Sequence, residues 1–315
     1  MTVLQPKISI IGAGNVGMRY AYSLMMSGLA RSIVVVDRDA ARAEGEVLDL
    51  ASGMPFVSPV KIAAGGFSEI KGSKLVVITA GKKQLPGQSR LDLTRENIAL
   101  YKELIPQLSA HAPEAVYLVV TNPVDVMAYA AYRISGKPWQ QVIGSGTVLD
   151  SARLRFLVSE HCGIDARNVH AYILGEHGDS EFAVWSRAMF GGTLLEDYCF
   201  NCHKCKGRQE RERIFKDVRD YAYRIIERKG ETSYGIGLAL VRISEAILKD
   251  ENAVLSVSCL GQDFYGTKDL YMSMPAVVNK NGVREVLRVQ FDPGELESLK
   301  ASAAAIREII QKLTF

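Results

Sequence analysis

His177 is the histidine of this sequence that is best placed for proton transfer. It lies in the segment Gly-Glu-His-Gly-Asp at residues 175–179. An imidazole titrates close to neutral pH, so it can give a proton to an oxygen that becomes an alkoxide and recover it in the reverse reaction. A histidine without a partner is more often a structural or surface residue, so a catalytic interpretation requires a charged neighbour.

Residues 149–153, Leu-Asp-Ser-Ala-Arg, offer two such neighbours. On a predicted helix, Asp150 and Arg153 are three positions apart and therefore share a face. A carboxylate at Asp150 could hold His177 as an imidazolium, and the guanidinium of Arg153 could bind a substrate carboxylate. Together the three residues predict proton donation during hydride transfer to the carbonyl of a small anionic substrate.

A glycine fingerprint lies between the first predicted strand and the first predicted helix. It places Gly12, Gly14 and Gly17 in a G-x-G-x-x-G pattern, and Asp37 ends the second predicted strand twenty positions later. These glycines would allow a tight turn, the close approach of a pyrophosphate and close helix packing. Asp37 would accept hydrogen bonds from ribose hydroxyls and repel a 2′-phosphate, so the pattern predicts NAD rather than NADP. The alternative is a glycine turn in an α/β domain without a cofactor.

The order of predicted elements indicates the fold class. Strands are predicted at residues 7–11, 32–37, 74–79, 115–121 and 141–144, with helices at 15–28, 40–50, 92–110 and 123–135. This alternation predicts a doubly wound parallel sheet of the Rossmann type. Further on, the pattern predicts a helix at 149–161, short strands, a helical stretch at 208–249, a hairpin turn at 280–283 and a closing helix from 293. We therefore expect an α/β protein with an NAD-binding domain at residues 1–145 and an α+β substrate domain at 146–315.

The composition narrows the classes of function. The chain has 315 residues, 48% of them hydrophobic, which is enough for two globular domains. Its 38 basic and 35 acidic residues give a net charge of +3 and no reason to expect nucleic acid as a partner. No apolar run approaches the length of a membrane span. Five cysteines, an odd number, fit a reducing compartment, so we expect a cytoplasmic protein without a membrane partner.

Three of the cysteines stand close together, as Cys199, Cys202 and Cys205, with His203 among them. The spacing is similar to that of metal or iron–sulfur ligands, but a cluster needs a fourth ligand and His203 directly follows Cys202. A loop of reduced thiols is the alternative that we favour. We therefore expect no metal cofactor.

Taken in order, these motifs resemble those of the lactate/malate dehydrogenase family, and of its L-lactate dehydrogenase branch in particular. The resemblance spans nearly the whole chain. It rests on the glycine fingerprint with Asp37 and on five further segments at residues 84–90, 121–125, 149–153, 175–179 and 229–232. Several independent motifs in the same order are far more specific than any one of them.

The resemblance implies a role for each motif residue. His177 would be the proton donor and acceptor, oriented by Asp150, while Arg153 would bind the substrate carboxylate and Arg90, on a mobile loop, would polarise the carbonyl. Asn122 would lie beside substrate and nicotinamide. Thr232 would lie near the side group of the substrate. The cofactor residues would be Gly12, Gly14, Val16, Gly17, Asp37, Asn122 and Ile236. Three of the motif residues also have simpler interpretations: Asn122 could be a helix cap, Thr232 a surface residue and Ile236 a residue of the hydrophobic core.

Gln84 is the residue whose side chain predicts which substrate is preferred. In relatives that use malate, the resemblance implies an arginine at this position that pairs with the second carboxylate. A neutral Gln84 would leave that carboxylate unpaired in a closed site, so we expect pyruvate and lactate to be preferred over oxaloacetate and malate. Glu176 agrees, because malate-selective relatives tend to have glycine there. Lys82 or Lys83 could supply a cation instead, which keeps a malate or broad 2-hydroxy acid dehydrogenase open, together with a catalytically silent NADH-binding protein.

Arg155 and His170 suggest regulation. The resemblance to bacterial members that respond to fructose bisphosphate implies that arginine and histidine at these positions line an anion site between subunits. We therefore expect fructose bisphosphate as an activator and a homotetramer as the assembly. Because the chain starts at its first predicted strand, without the amino-terminal arm of vertebrate relatives, a dimer–tetramer equilibrium is also expected. Alternatively, Arg155 is a surface residue and His170 a structural one.

Overall fold

A nine-stranded sheet forms the centre of the protein. The computed structural model describes residues 6–82, 87–202, 208–263 and 265–315, and within helix 195–202 it gives side chains only up to residue 198. The strands of the large sheet follow the order β14-β13-β12-β6-β5-β4-β1-β2-β3. Two small sheets, β11-β10-β7 and β8-β9, accompany it.

The elements have the following bounds in the described ranges. The strands are β1 (Lys7–Ile11), β2 (Ser32–Val36), β3 (Lys61–Ala64), β4 (Leu75–Ile78), β5 (Val116–Val119), β6 (Val142–Gly144), β7 (Val169–His170), β8 (Ile173–Leu174), β9 (Phe182–Ala183), β10 (Met189–Phe190), β11 (Thr193–Leu194), β12 (Ala253–Leu260), β13 (Tyr271–Asn279) and β14 (Gly282–Val286). The helices are α1 (Asn15–Ser27), α2 (Ala40–Ser52), α3 (Arg90–His111), α4 (Val124–Ser135), α5 (Val148–Cys162), α6 (Leu195–Cys202), α7 (Arg208–Lys229), α8 (Tyr234–Leu248) and α9 (Pro293–Gln311). Of the helices so described, none combines the length and the apolar character needed to span a bilayer.

Six strands form the parallel half of the sheet, in the order 3-2-1-4-5-6 that is typical of a Rossmann fold. The predicted fold class is therefore confirmed. Strands β1, β4 and β5 are almost wholly buried because helices cover both faces, which explains their continuous Val and Ile content. Strand β3 was not expected from the sequence. Its Lys-Ile-Ala-Ala sequence lies at the sheet edge and lacks the β-branched run of a central strand.

The second half of the chain extends the same sheet. Strand β12 pairs antiparallel with β6 where Ser258 meets Gly144, and β13 and β14 follow as antiparallel neighbours. A Cβ at Gly144 would lie 2.7 Å from the Cβ of Ser258, so glycine allows this junction to close. The expected hairpin turn lies between β13 and β14. The domain boundary at residue 145, immediately after β6, stays a prediction.

The predicted helical stretch at 208–249 consists of two helices. Helix α7 ends at Lys229, and Gly230 follows with a φ of 83°, which a glycine adopts without strain. Helix α8 then packs against α1, where the hydroxyl of buried Tyr20 bonds that of Ser244 at 2.7 Å. A Cβ at Gly237 would lie 3.0 Å from the carbonyl oxygen of Arg19, so the start of α8 lies against the first half of α1.

Gly17 is the fingerprint residue with the least free space, and we predict that Gly17→Ala lowers stability. Its Cβ would lie 2.1 Å from the carbonyl oxygen of Gly12, so the β1–α1 turn would have to shift. We expect a loss of about 1–3 kcal/mol in the free energy of unfolding, measured by urea denaturation. The control is Gly45→Ala in α2, where a Cβ meets nothing within 4 Å and stability should rise by about 0.5–1 kcal/mol. Equal midpoints for both variants would contradict the prediction.

Candidate active site

The glycine loop and Asp37 meet at the carboxyl end of the parallel strands. Gly12 has a φ of 113°, and its N–H donates to the carbonyl of Val36 at 2.8 Å. The carboxylate of Asp37 accepts a hydrogen bond from the N–H of Ala13 at 2.7 Å and from that of Asp39 at 2.9 Å. Asp37 therefore connects the end of β2 to the loop that opens α1.

This region has the shape that a dinucleotide requires. Gly14 is half-buried at the amino end of α1, and a Cβ there would meet nothing within 4 Å, so open space lies beside the first helix turn. Free N–H groups at a helix amino end attract phosphate groups. The half-buried Val16 packs on the core next to this space. Gly12, Gly14, Val16, Gly17 and Asp37 thus fit an NAD molecule bound across this end of the sheet.

Asp150, Arg153 and His177 form one chain of hydrogen bonds. Oδ2 of Asp150 lies 2.7 Å from Nδ1 of His177, and its Oδ1 accepts from the guanidinium of Arg153 at 2.8 Å. The side chain of Asp150 is only 4% exposed and that of Arg153 10%, whereas His177 is 28% exposed. The predicted grouping of the three residues is therefore present, with the imidazole at the open side.

Hydrogen bonds to β8 fix helix α5 in place. The hydroxyl of Thr147 donates to the carbonyl of Ile173 at 2.5 Å. The hydroxyl oxygen of Ser151 accepts from the N–H of Ile173 at 2.9 Å. Because Ile173 begins β8, which leads to the His177 loop, these bonds set the position of Asp150 against that loop. No role was expected for Ser151, although it lies between Asp150 and Arg153 in the same motif.

Asp125 holds the backbone of the loop that carries His177. Its Oδ2 accepts from the N–H of His177 at 2.7 Å, and the residue is 2% exposed. Burial raises the pKa of Asp125 to about 6, although the hydrogen bond from His177 acts in the opposite direction. Asp125 lies in the first turn of α4, two residues after Pro123 of the cis Asn122–Pro123 bond. Sequence reasoning missed this role; an acid directly after Asn-Pro-Val was the available signal.

The charges in the site favour a protonated His177. Burial lowers the pKa of His177, but the charge and hydrogen bond of Asp150 outweigh it, so the pKa lies above the usual value. Burial raises the pKa of Asp150, and the contacts with His177 and Arg153 outweigh it, so that pKa is lowered. The imidazole is thus held in the form that can donate a proton.

Glu181 is a further acid at this site that sequence reasoning missed. A carboxylate oxygen of Glu181, a ring nitrogen of His177 and an oxygen of Asp150 all lie within 4.8 Å of one another. Such a group could hold a cation, but Arg153 and His177 already bond both oxygens of Asp150. We assign no metal to it. The cysteine group at 199, 202 and 205 lies outside the described side chains.

Arg90 begins helix α3 and reaches the His177 loop. Its guanidinium donates to Oδ2 of Asp179 at 3.1 Å, and Oδ1 of Asp179 accepts from the hydroxyl of Tyr223 at 3.0 Å. All three side chains are exposed. The contact spans from α3 to α7 across the loop that carries His177.

The segment that precedes Arg90 is described only in part. Gln84 lies outside the described residues, as does Lys83. Lys82 is exposed and pairs with Glu96 at 3.1 Å, which agrees with a solvated position on the flank of the loop. The selector role of Gln84 therefore stays a prediction.

Asn122, Thr232 and Ile236 are placed by neighbouring elements. Asn122 is exposed, and its carbonyl accepts from the side-chain amide of Asn97 at 3.1 Å. Thr232 is half-buried just before α8, and Ile236 packs on the core in the first turn of that helix. A Cβ at Gly235 would lie 3.0 Å from Leu149, the neighbour of Asp150. The start of α8 therefore lies against the start of α5.

Arg155 and His170 line a separate cavity of about 70 Å³ between α5, β7 and β12. Arg155 donates to the carbonyl of Ala166 at 3.1 Å, and its buried Nε has no partner among the described residues. His170 is exposed on β7. The two residues that were expected to bind an effector therefore line one cavity, whose lining does not include His177, and their effector role stays a prediction.

Comparisons with known proteins cover both halves of the chain. The family model described as the NAD binding domain of lactate/malate dehydrogenase matches residues 6–144, and that of its alpha/beta C-terminal domain matches 147–314. An L-lactate dehydrogenase of Acetivibrio thermocellus is 47% identical over 307 residues, which are 98% of this chain and 97% of the relative. L-lactate dehydrogenase 1 of Clostridium acetobutylicum is 46% identical over 308 residues, 98% of each chain.

Solved structures agree with the fold and the family. A lactate dehydrogenase enzyme from a Medee basin deep-sea metagenome library is 41% identical, with a TM-score of 0.96 and 99% of each chain covered. The minor L-lactate dehydrogenase of Enterococcus mundtii, in its ligands-bound form, is 36% identical with the same TM-score and coverage. The expectation of an NAD-dependent oxidoreductase is confirmed. The chain belongs to the lactate/malate dehydrogenase family and contains its NAD-binding domain.

Proposed function

We propose that this chain is an L-lactate dehydrogenase that transfers a hydride reversibly between NADH and pyruvate. The observation that carries the proposal is the hydrogen-bonded chain from His177 through Asp150 to Arg153, in a chain with an NAD-binding domain. The names of the relatives that are 46% and 47% identical support the same substrate. We also propose the boundary between NAD-binding and substrate domains at residue 145.

The residues divide the chemistry among them. Bound NADH supplies the hydride. Arg153 binds the substrate carboxylate in a fork, and this fixes the carbonyl next to the imidazole. His177 carries its proton on Nε2 while Asp150 bonds Nδ1, so Nε2 can donate to the oxygen on which negative charge develops. In lactate oxidation the neutral imidazole takes the same proton back.

Other residues act on orientation and charge. Arg90 polarises the carbonyl when its loop closes over the substrate, since a cation close to the oxygen stabilises the developing charge. Asn122 contacts substrate and nicotinamide, Thr232 faces the side group of the substrate and Ile236 packs on the nicotinamide ring. The placement of Ile236 and Thr232 at the start of α8, beside Leu149, supports these roles.

Substrate choice depends on Gln84 in this proposal. A neutral amide provides no charge for a second substrate carboxylate, which would then lose its hydration without compensation. Lys82 is paired with Glu96, and this pairing argues against its use as a substitute cation. The alternatives are a malate or broad 2-hydroxy acid dehydrogenase and a catalytically silent NADH-binding protein. The intact Asp150, Arg153 and His177 grouping argues against the silent protein.

We further propose that fructose bisphosphate activates the enzyme at the cavity of Arg155 and His170. A buried guanidinium nitrogen without a partner among the described residues favours an anion, and an exposed imidazole lies in the same lining. We propose a homotetramer in equilibrium with dimers, because an anion that bonds cations of two subunits would stabilise their association.

We also propose a cytoplasmic location. The chain has five cysteines, and an odd number fits a reducing compartment better than a framework of disulfides.

The substrate proposal predicts that pyruvate is reduced far better than oxaloacetate, and that Gln84→Arg reverses this order. An arginine would pair with the second carboxylate, so we expect kcat/KM for oxaloacetate to rise at least about tenfold, the effect of roughly 1.4 kcal/mol. NADH oxidation is followed at 340 nm. Gln88→Arg, which adds the same charge four residues later, is the control and should keep the pyruvate preference. Equal rates with both substrates in the natural chain would contradict the proposal.

The role of Asp150 predicts the pH dependence of Asp150→Asn. The carboxylate raises the pKa of His177, so its loss lowers that pKa, by about 1–3 units for a neighbouring charge. Pyruvate reduction requires protonated His177, so kcat/KM should begin to fall at correspondingly lower pH. Glu160→Gln, an exposed change on the same helix, should keep the natural profile. An unchanged alkaline limb in Asp150→Asn would show that Asp150 does not hold the proton on His177.

The effector proposal predicts that Arg155→Gln loses activation. We expect fructose bisphosphate to lower KM for pyruvate in the natural chain. In the variant, the factor by which the effector lowers KM should be at least about tenfold smaller, because one charge-assisted contact is lost. Arg167→Gln, an exposed arginine that pairs with Asp165, is the control and should respond normally. Activity of the natural chain that ignores the effector between pH 6 and 8 and at all dilutions would reject the proposal.

A further inference from the structure

Glu181 is a buried acid that the proposed mechanism does not use. It is 7% exposed and immediately precedes β9. Its N–H donates to the carbonyl of Gly178 at 3.2 Å, so the chain turns immediately after His177. The turn brings a carboxylate oxygen of Glu181 within 4.8 Å of a ring nitrogen of His177 and of an oxygen of Asp150.

Groups from three elements determine the charge of Glu181. The charged and titratable side chains that act on it or respond to it are Asp150 and Arg153 of α5, His177 of the loop, and Arg219 and Tyr223 of α7. Burial raises the pKa of Glu181, and the charge of Asp150 raises it further. The cations His177, Arg153 and Arg219 act in the opposite direction but are outweighed. The protonated, neutral carboxyl is therefore favoured at neutral pH.

The net charge of the site shows why that proton matters. With Glu181 neutral, the hydrogen-bonded group of negative Asp150, positive Arg153 and positive His177 has one net positive charge. One bound carboxylate then neutralises the group. An ionised Glu181 would cancel this positive charge before the substrate binds. It would also repel the substrate carboxylate across a poorly hydrated interior, where charges interact more strongly than in water.

We propose that Glu181 is a positioning residue that must hold its own proton for the substrate carboxylate to bind at Arg153. The proposal rests on the proposed function, because it assumes that Arg153 binds that carboxylate. Glu181 acts through the charge of the site and does not touch the reacting atoms. It would make substrate binding depend on two protons, one on His177 and one on Glu181.

Two required protons give a distinct pH dependence. Either group can lose its proton first, and the two microscopic dissociation constants add, so the first macroscopic pKa lies below that of His177 alone. The affinity for the substrate should then fall with a slope that steepens from one towards two as pH rises. Glu181→Gln mimics the neutral carboxyl. Its affinity should fall with a slope of one and start to fall at higher pH.

The test measures the binding of oxamate, an unreactive isostere of pyruvate, to the complex of enzyme and NADH between pH 6 and 10. Quenching of NADH fluorescence gives the affinity. We expect Glu181→Gln to match the natural chain within about twofold at pH 6 and to bind oxamate more tightly at alkaline pH. The control Glu227→Gln, an exposed change on α7, should follow the natural curve.

Three outcomes would overturn the proposal. If the affinity of Glu181→Gln for oxamate falls with alkaline pH in the same way as that of the natural chain, the protonation of Glu181 does not affect binding. Severalfold tighter binding by the variant already at pH 6 would show that Glu181 is ionised throughout. Weaker binding by the same factor at every pH would indicate a purely structural role.

A second measurement needs no variant. Calorimetry of oxamate binding to the natural chain, in buffers of different ionisation enthalpy, gives the number of protons taken up. At the high-pH end of the range, where both groups have largely lost their protons before binding, we expect more than one proton to be taken up per oxamate. An uptake of one proton or less there would contradict the proposal. A natural chain that neither binds oxamate nor reduces pyruvate would instead refute the proposed function.

Discussion

The carboxylate of Asp150 is the group on which the rest of the site depends. A carboxylate in a protein interior costs several kcal/mol unless it is paired and hydrogen-bonded. Asp150 meets this condition with one oxygen on Arg153 and the other on His177. The same two bonds fix the distance between the guanidinium of Arg153 and the imidazole of His177, so the two groups are preorganised relative to each other.

The elements around Asp150 keep those bonds in register. Ser151, between Asp150 and Arg153 in sequence, points away from them and bonds Ile173, which begins β8. Asp125 holds the backbone of His177 from α4, so the imidazole is fixed from both the parallel and the antiparallel parts of the fold. The pairing of β12 with β6 joins these parts into one sheet. Rigid strands and helices therefore set the relative positions of side chains that are far apart in sequence.

Local patterns allowed much of this arrangement to be predicted. The glycine fingerprint and the spacing of Asp150 and Arg153 reflect rules that operate within one turn or one helix, and both are present in the structure. Asp125 and Ser151 were not assigned roles, because their hydrogen-bond partners lie in distant segments. Glu181 was not assigned one, because its burial next to Asp150 depends on the tertiary fold. Strand β3 was missed for a related reason: an edge strand needs little hydrophobic pattern of its own.

Two carboxyl groups of the site differ in charge although both are buried. Asp150 accepts hydrogen bonds from two cations, and these contacts lower its pKa despite burial. Glu181 has no cation at ion-pair distance within the described ranges, and the charge of Asp150 adds to the effect of burial, so its pKa is raised. Under the proposed function, both acids serve anion binding because they differ in charge. The ionised acid holds two cations in place, and the neutral acid leaves their surplus charge available to the substrate.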